Sequence, residues 1–231
     1  MLINYFLMVL LEKNLILRIM STDGTNVNKY GLAARVHRTF VSSDRAVKLA
    51  QFLSPLIENG TSVLDVGCGY GLVSRRLCDL RPDINLAGID IVIRDDCLIS
   101  ASPYNGSDFP FPDNAFDYVQ FVDVLHHTDD PMILLQEAVR VARKGIILKD
   151  HQVTGFLAWQ TLWFLDWAGN TPYDIGLLYN FWTQEQWSSA FQTLRLEKAS
   201  HNSSFGLYPF PFSLLFDRSL HFIDKLVPME K

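Results

Sequence analysis

The feature that most constrains the fold is a short apolar run followed at once by three alternating glycines. The run is Ser62–Val66, and the glycines occupy positions 67, 69 and 71. An apolar run of this length predicts a buried strand, and glycines allow the backbone to turn sharply and to approach a ligand closely. Residues 72–80 follow with a helical pattern. The segment therefore predicts a strand–turn–helix unit with a ligand site at its turn.

The spacing of these glycines narrows the choice of ligand. A dinucleotide-binding turn has the pattern Gly-x-Gly-x-x-Gly, whereas here Leu72 stands where the last glycine would be. The sequence also lacks the Gly-Lys-Ser/Thr of a phosphate-binding loop. The pattern favours a ligand without a pyrophosphate. A nicotinamide-dependent oxidoreductase is the less favoured alternative, and an ordinary strand-to-helix loop is another.

The order of predicted strands and helices sets the fold class. A helix is predicted over 31–57, and the later elements are strands over 84–89, 98–104, 116–124 and 145–148, a helix over 131–141, and further strands after 194. This alternation implies an α/β fold with a doubly wound, mostly parallel sheet and helices on both faces. About fourteen residues separate Asp90 from Asn105, too few for a full crossover helix. We therefore expect the helix after the second strand to be missing or reduced to a turn.

Polar side chains gather where the predicted strands end. The clusters are residues 67–71, Asp90, 123–127 and 149–151. Ligands of open α/β sheets bind outside the carboxyl ends of the strands, so the four clusters predict one site. A carboxylate at Asp90 is suited to accept hydrogen bonds from both hydroxyls of an adenosine ribose.

These motifs as a set resemble a known family. Residues 63–71 resemble the first motif of class I S-adenosylmethionine (SAM)-dependent methyltransferases, and 88–90 resemble their acidic second-strand motif. Residues 109–117 are similar to the segment before their fourth strand, and 123–127 resemble the strand-four ending of the ubiquinone-biosynthesis-like (type 11) branch. The resemblance covers roughly 60–151 and implies a Rossmann-like, seven-stranded sheet, with SAM as the methyl donor.

The resemblance also implies a set of cofactor contacts. The residues assigned to SAM are Asp65, Gly67, Cys68, Gly69, Tyr70, Gly71, Asp90, Ile91, Asn105, Gly106, Asp108, Asp123 and Val124. The glycine turn and residues 123–124 would lie near the methionine portion, Asp90 would hold the ribose, and Ile91 would pack on the adenine. The residue that accepts a hydrogen bond from the adenine amino group is left open between Asn105 and Asp108.

Three histidines follow the fourth and fifth strands and are the candidate catalytic residues. A histidine titrates near neutrality and can remove a proton from a methyl acceptor, so His126, His127 and His151 are either bases or caps that bond backbone carbonyls. Asp150 either orients a histidine or forms a surface ion pair with Lys149. No metal site is expected, because adjacent histidines on an extended strand point to opposite faces.

An aromatic segment follows the predicted sheet. Residues 155–168 predict a dense aromatic helix, and Thr183 and Gln186 predict a capping box at the start of another. We assign 154–192 to a lid and acceptor region, with core or interface packing as the alternative. The polar residues within it are candidate acceptor contacts: Asp166, Asn170, Tyr179 and Asn180.

The overall composition limits the partners. A net charge of −5 offers no clustered positive charge for nucleic acid, so a small-molecule acceptor fits better. The three cysteines (68, 78 and 97) have neither the number nor the spacing of a disulfide framework or a zinc site. A reducing, cytoplasmic setting is therefore expected. A non-catalytic SAM-binding protein with the same fold is the alternative to an enzyme.

The N-terminal segment is open to several interpretations. Residues 1–11 are almost all apolar, but they fall short of the roughly 20 residues that span a bilayer. The segment is an amphipathic helix or upstream extension, a peripheral membrane anchor within 1–20, or a signal peptide. We assign 1–30 to this segment and its linker, and 31–231 to a single methyltransferase domain. The sequence predicts no particular oligomeric state.

Overall fold

The computed structural model describes residues 43–170, 178–206 and 219–229. The apolar N-terminal segment and its proposed membrane contact lie outside this part of the chain, as does the first part of the helix predicted over 31–57. The proposed domain boundary at 30–31 therefore stays a prediction.

Helices and strands alternate through most of the described chain. The helices are α1 (Ser43–Leu53), α2 (Leu72–Leu80), α3 (Pro131–Val141), α4 (Ala158–Asn170) and α5 (Gln184–Thr193). The strands are β1 (Ser62–Val66), β2 (Asn85–Asp90), β3 (Ala101–Pro103), β4 (Phe116–Val122), β5 (Ala142–His151), β6 (Leu196–Asn202) and β7 (His221–Pro228). Helices α2 and α3 have the bounds that the sequence predicts.

The seven strands form one sheet in the order β3-β2-β1-β4-β5-β7-β6. Strands β1 to β5 are parallel, and β7 inserts antiparallel between β5 and β6. The prediction of a doubly wound, mostly parallel, seven-stranded sheet is confirmed. Because the strand order reverses between β1 and β4, the carboxyl ends of these two strands border the crevice where such sheets bind ligands.

Successive residues of the central strands pack into two separate hydrophobic cores, one on each face of the sheet. Leu64 packs with α3 and α5 on one face, whereas Val63 packs with α1 and α2 on the other. This follows from the alternation of side chains along a strand. Helices therefore cover both faces, as predicted.

Local sequence signals explain where the helices begin. Asp130 accepts a hydrogen bond from the Met132 backbone N–H, and a proline follows it at the first position of α3. Thr183 and Gln186 form the predicted capping box of α5. In α1, Leu49 is fully buried, whereas Val47 is 36% exposed.

The sheet departs from the predicted bounds next to the site. No helix lies between β2 and β3, as expected, but β3 has three residues rather than the predicted seven because residues 98–100 precede it as a bend. Strand β4 ends at Val122 rather than 124, since Asp123 takes a left-handed φ of 58°. Strand β5 runs on to His151, because pairing with antiparallel β7 extends it. Helix α4 begins at Ala158 rather than 155.

Among the described residues, no helix has both the length and the apolar character needed to cross a membrane.

Candidate functional site

The glycine turn after β1 is built by left-handed backbone at three positions. Gly67, Gly69 and Gly71 have φ values of 70°, 56° and 69°, a region that side chains disfavour. A Cβ at Gly67 would lie 2.7 Å from the Val124 side chain, whereas one at Gly69 would meet nothing within 4 Å. The turn is therefore packed at Gly67 against Val124, just after β4, and is open at Gly69, where a ligand can approach the backbone.

Asp90 closes this turn from the neighbouring strand. Its Oδ2 accepts a hydrogen bond of 2.7 Å from the Gly69 N–H, and its Oδ1 accepts one of 3.2 Å from the Val92 N–H. The next residue, Ile91, is 64% exposed. The carboxylate predicted to hold a ribose thus lies at the open part of the turn, with an exposed apolar side chain beside it.

The two candidates for the adenine contact bond to each other. Asn105 Nδ2 donates to Asp108 Oδ2 over 2.7 Å, and Asn105 Oδ1 accepts from the N–H groups of Ser107 and Asp108 over 2.9 and 2.8 Å. A backbone hydrogen bond from Tyr104 to the Asp90 carbonyl brings this loop next to the turn. The open choice between Asn105 and Asp108 stays open, and Gly106 lies against Ile91.

Asp65 lies beneath the turn rather than in it. Its buried carboxylate accepts hydrogen bonds from Ser74 Oγ (2.6 Å) and Gln120 Nε2 (3.3 Å). Burial raises the pKa of Asp65 to about 6, against the lowering effect of these hydrogen bonds. The sequence reasoning missed Gln120, although a lone polar residue within an apolar strand is the signal that could have found it.

Cys68 and Tyr70 are half-buried within the turn. The Cys68 side chain lies against Gly88, and burial raises the pKa of its thiol. The Arg94 guanidinium stacks over the Tyr70 ring at 4.7 Å, and the Tyr70 carbonyl accepts from the Leu98 N–H. Both residues support the turn, and the Cys68 thiol is not activated.

Asp123 lies at the end of β4 between two cations. Its carboxylate contacts Arg45 of α1 and the buried Lys149 of β5. Burial favours the protonated acid, but the charges of Lys149 and Arg45 prevail and hold the pKa of Asp123 well below its usual range. Arg45 lies far from Asp123 in sequence, and no sequence signal pointed to it. The Asp123 carboxylate is thus engaged within the protein, whereas Val124 packs on the glycine turn.

Asp150 organises the histidines. His126 Nδ1 lies 2.6 Å from Asp150 Oδ1, and the two Asp150 oxygens also accept hydrogen bonds from the N–H groups of Leu125 and His151. Of the two predicted roles for Asp150, orientation of a histidine is confirmed. The surface ion pair with Lys149 is wrong, because both residues are fully buried and Lys149 pairs with Asp123.

His126 and His127 do not lie on an extended strand. Residues Leu125–His127 form a 3₁₀ helix, so the premise that their side chains point to opposite faces is wrong. His126 Nε2 and His127 Nε2 lie 3.5 and 3.7 Å from the same oxygen, Asp166 Oδ1 of α4. One ligand atom from each of these three residues lies within 4.8 Å of the other two.

The three histidines have different pKa values because their surroundings differ. Burial opposes a charge on His126, but the Asp150 carboxylate outweighs it and raises the pKa of His126 to about 9. Burial, together with the neighbouring positive charge, lowers the pKa of His127 to about 4. Burial and Lys149 lower the pKa of His151 to about 4 as well. At neutral pH the cluster therefore contains a charged His126 between two neutral imidazoles.

The fourth histidine of this cluster was missed. His221 of β7 pairs with His151 of β5, and the two ring centroids are 4.6 Å apart. Its Nδ1 lies 3.4 Å from Lys149 Nζ. Only the position of β7 in the sheet brings it here, since it lies about seventy residues further along the chain.

The segment 154–192, which the sequence predicts as a lid, contacts the cluster through polar and aromatic residues. Asp166 is buried beside the histidines, and Phe181 stacks on His126 with centroids 5.5 Å apart. Asn180 Nδ2 donates to the carbonyls of Thr128 and Asp129. On the outside of α4, Trp159, Trp163 and Phe164 are exposed, as is Phe156 before it. The side chain of Asn170 lies outside the described part.

A family model described as a methyltransferase domain matches residues 37–201 of this chain. The matched range contains the glycine turn and Asp90. It also contains Asp166 and the three predicted histidines: His126, His127 and His151.

Two curated methyltransferases are similar to part of the chain. Ajmaline N-methyltransferase from Rauvolfia serpentina is 29% identical over 123 residues, which are 47% of this chain and 42% of that protein. Demethylmenaquinone methyltransferase from Listeria welshimeri is 30% identical over 102 residues, 38% of this chain and 43% of that protein. The matches thus span less than half the length of these relatives.

Among solved structures, the plantazolicin methyltransferase BpumL, in complex with a monoazolic desmethylPZN analog and SAH, has a similar fold. The TM-score is 0.60 at 13% identity, and the likeness covers 88% of this chain and 91% of that one. The agreement of sheet order, glycine turn and family match supports one conclusion: the chain belongs to the methyltransferase domain family and has the Rossmann-like fold of SAM-dependent methyltransferases.

Proposed function

We propose that this protein transfers the methyl group of SAM to a small-molecule acceptor. The observation that carries the proposal is the contact between Asp90 and the Gly69 N–H at the open middle of the glycine turn. In this position the Asp90 carboxylate would be able to bind a ribose beside the open part of the turn, at the switch point of the sheet, where ligands of such folds bind. The match to a methyltransferase domain family supports SAM as that ligand. The SAH in the structure of the plantazolicin methyltransferase supports SAM as the donor.

The cofactor would lie across the carboxyl ends of β1, β2 and β4. The ribose would bind Asp90, and the adenine would lie between Ile91 and the loop of Asn105 and Asp108. The methionine portion would follow the glycine turn towards Val124, whose side chain touches Gly67. This direction leads from the open turn to the histidines, so the methyl group would face them.

The histidines would serve the acceptor side. In the transfer, a lone pair of the acceptor forms a bond to the methyl carbon while the carbon–sulfur bond breaks, and S-adenosylhomocysteine leaves as a neutral thioether. An acceptor that carries a proton must lose it to a base. We propose His127 and His151 as such bases, because their low pKa values leave them unprotonated at neutral pH. His126 would be held in place by Asp150.

The comparisons support the family more strongly than the acceptor. One relative is named for N-methylation of ajmaline and the other for demethylmenaquinone, so relatives with similar motifs serve chemically different acceptors. We propose an apolar acceptor, because Phe181 stacks on His126 and because α4, which contributes Asp166 to the cluster, exposes Trp159, Trp163 and Phe164. The ubiquinone-biosynthesis-like branch, a cytoplasmic location and a membrane contact through residues 1–20 are parts of the same proposal.

Two measurements separate this function from its rivals. Calorimetric titration with SAM and with NAD should give binding for SAM alone; tight NAD binding without SAM-linked heat would contradict the proposal. Incubation of metabolite extracts with methyl-labelled SAM, followed by mass spectrometry, should yield a labelled product. SAM binding without any labelled product would instead favour a non-catalytic SAM-binding protein.

A further inference from the structure

We propose that His126, His127 and Asp166 bind a divalent transition-metal cation. The three residues come from the 3₁₀ turn after β4 and from α4, and they converge on one point beside the proposed methyl-transfer site.

The distances suit a single bound ion. Asp166 Oδ1 lies 3.5 Å from His126 Nε2 and 3.7 Å from His127 Nε2. Ligands at about 2.0–2.1 Å from a tetrahedral zinc ion are separated by about 3.3 Å. Small side-chain shifts would therefore bring the three atoms to ligand distance without moving the backbone.

The orientation of His126 gives independent support. Its Nδ1 is fixed by Asp150 at 2.6 Å, so its Nε2 is aimed at Asp166. The side chain is 1% exposed, and the Nε2 atom has no partner that meets hydrogen-bond criteria. Binding of the ion would displace the proton that the charged His126 carries on this nitrogen. A buried imidazole with a carboxylate on its other nitrogen is the arrangement that orients metal-binding histidines.

A simple ion pair between His126 and Asp166 explains the geometry less well. The short contact of His126 is made to Asp150, whereas its distance to Asp166 is nearly 1 Å longer. His127 also turns its Nε2 towards the same Asp166 oxygen. A cation bound between the three groups would explain why both histidine Nε2 atoms face the same Asp166 oxygen at distances longer than a hydrogen bond.

The ligand types select the kind of cation. Two imidazoles and one carboxylate suit zinc, iron(II), cobalt(II) or nickel(II), whereas calcium and magnesium prefer oxygen ligands. Three protein ligands leave a coordination position open. If the methyltransferase function proposed above is correct, on which this one step rests, that position would hold an oxygen of the acceptor. With the ion bound, His127 would be a ligand, and His151 alone would remain as the base.

The binding test uses the full chain after treatment with a chelator. Zinc or cobalt(II) alone is titrated in the absence of SAM, by calorimetry and by the absorption of the cobalt complex. We expect one ion per chain. His127→Ala and Asp166→Asn should weaken binding at least tenfold, and Asp150→Asn should weaken it 10- to 100-fold by releasing His126.

The matched control is His201→Ala. His201 also pairs with a carboxylate, Asp224, at 2.5 Å, but on β6 and with its side chain 40% exposed. This variant should bind zinc as the wild type does. Circular dichroism verifies that each variant is folded.

Unchanged zinc binding in folded His127→Ala and Asp166→Asn, or the absence of stoichiometric binding by the wild type, would overturn the proposal. If the variants do not fold, X-ray absorption of the wild-type zinc complex decides: nitrogen and oxygen ligands support the site, whereas sulfur ligands contradict it. SAM titration of the metal-free protein is a separate readout, so a failed metal site and a failed methyltransferase assignment remain distinguishable.

Discussion

The two halves of the proposed site are built in opposite ways. The cofactor half is an open backbone turn, made by left-handed glycines and closed by one carboxylate from the next strand. The acceptor half is a buried cluster of charged and polar side chains from the turn after β4 and from β5, β7 and α4. A site made of backbone groups keeps its structure when a nearby side chain is replaced. A buried cluster of charges loses stability when any one of its partners is removed. We therefore expect mutations to affect ligand binding in the first half and folding in the second.

The largest effect should come from Asp150→Ala. The substitution leaves His126 buried without its carboxylate and removes the acceptor of two backbone N–H groups. Loss of one partner of a buried ion pair costs about 3–5 kcal/mol. Urea unfolding should show this decrease in the free energy of unfolding. Asp113→Ala at an exposed position is the control, and an equal loss in both variants would contradict the contrast between the halves.

Asp90→Ala should instead act on the ligand. Each hydrogen bond to a charged group contributes about 1.5–3 kcal/mol, so removal of the ribose contacts should raise the Kd for SAM on the order of 100-fold. The ligand-free protein also loses the hydrogen bonds from the Gly69 and Val92 N–H groups, but these groups lie near solvent, so its free energy of unfolding should fall less than in Asp150→Ala. The matched control is Asp95→Ala, an exposed acid in the same loop. Unchanged SAM affinity in the Asp90 variant would disprove the ribose assignment.

The glycine turn itself allows a finer comparison. Gly67→Ala and Gly69→Ala each incur about 1–2 kcal/mol for left-handed backbone, but only the Cβ at position 67 collides with Val124. Urea unfolding should therefore show the greater loss for Gly67→Ala. Gly69→Ala should weaken SAM binding more than its stability loss suggests, since its methyl group would occupy the open middle of the turn. Equal stability losses would argue against this packing.

The smallest effect should come from Asp65, which is buried beneath the glycine turn and bonded to Ser74 and Gln120. Its folded-state pKa of about 6 exceeds the unfolded value of about 3.9, so the protonated form stabilises the fold. This contribution is complete below the unfolded pKa and is lost as the pH rises through about 6. Between pH 5 and 7.5 the wild type should lose about 1 kcal/mol relative to Asp65→Asn. A pH-independent difference in unfolding free energy would contradict the buried assignment.

The cofactor half was predictable because its signals are local. The apolar run, the glycines and Asp90 lie within about thirty residues, and strand-to-helix units have few backbone solutions. The doubly wound, mostly parallel sheet and the absence of a helix between β2 and β3 followed from the same alternation and loop length. The predicted bounds failed at β3 and β4, where the local backbone conformation ends the strand, and at β5, where pairing with the distant β7 extends it.

The acceptor half was predicted only as a set of polar strand ends. The sequence placed His126, His127 and His151 near the site but put the first two on an extended strand, and it proposed a surface ion pair for Lys149. Arg45 and His221 lie far away in sequence and carried no signal. The position of Arg45 depends on how α1 packs against the sheet, and that of His221 depends on how β7 pairs with β5.

The sequence by itself determined the sheet, the glycine turn and the place of Asp90, because periodicity and glycine spacing act over a few residues. Only the tertiary structure decided which side chains share the buried cluster, and therefore which carboxylate faces each histidine. The physical reason is that a buried charge is tolerated only beside a partner. Such partners come from any part of the chain that the fold brings within a few ångströms.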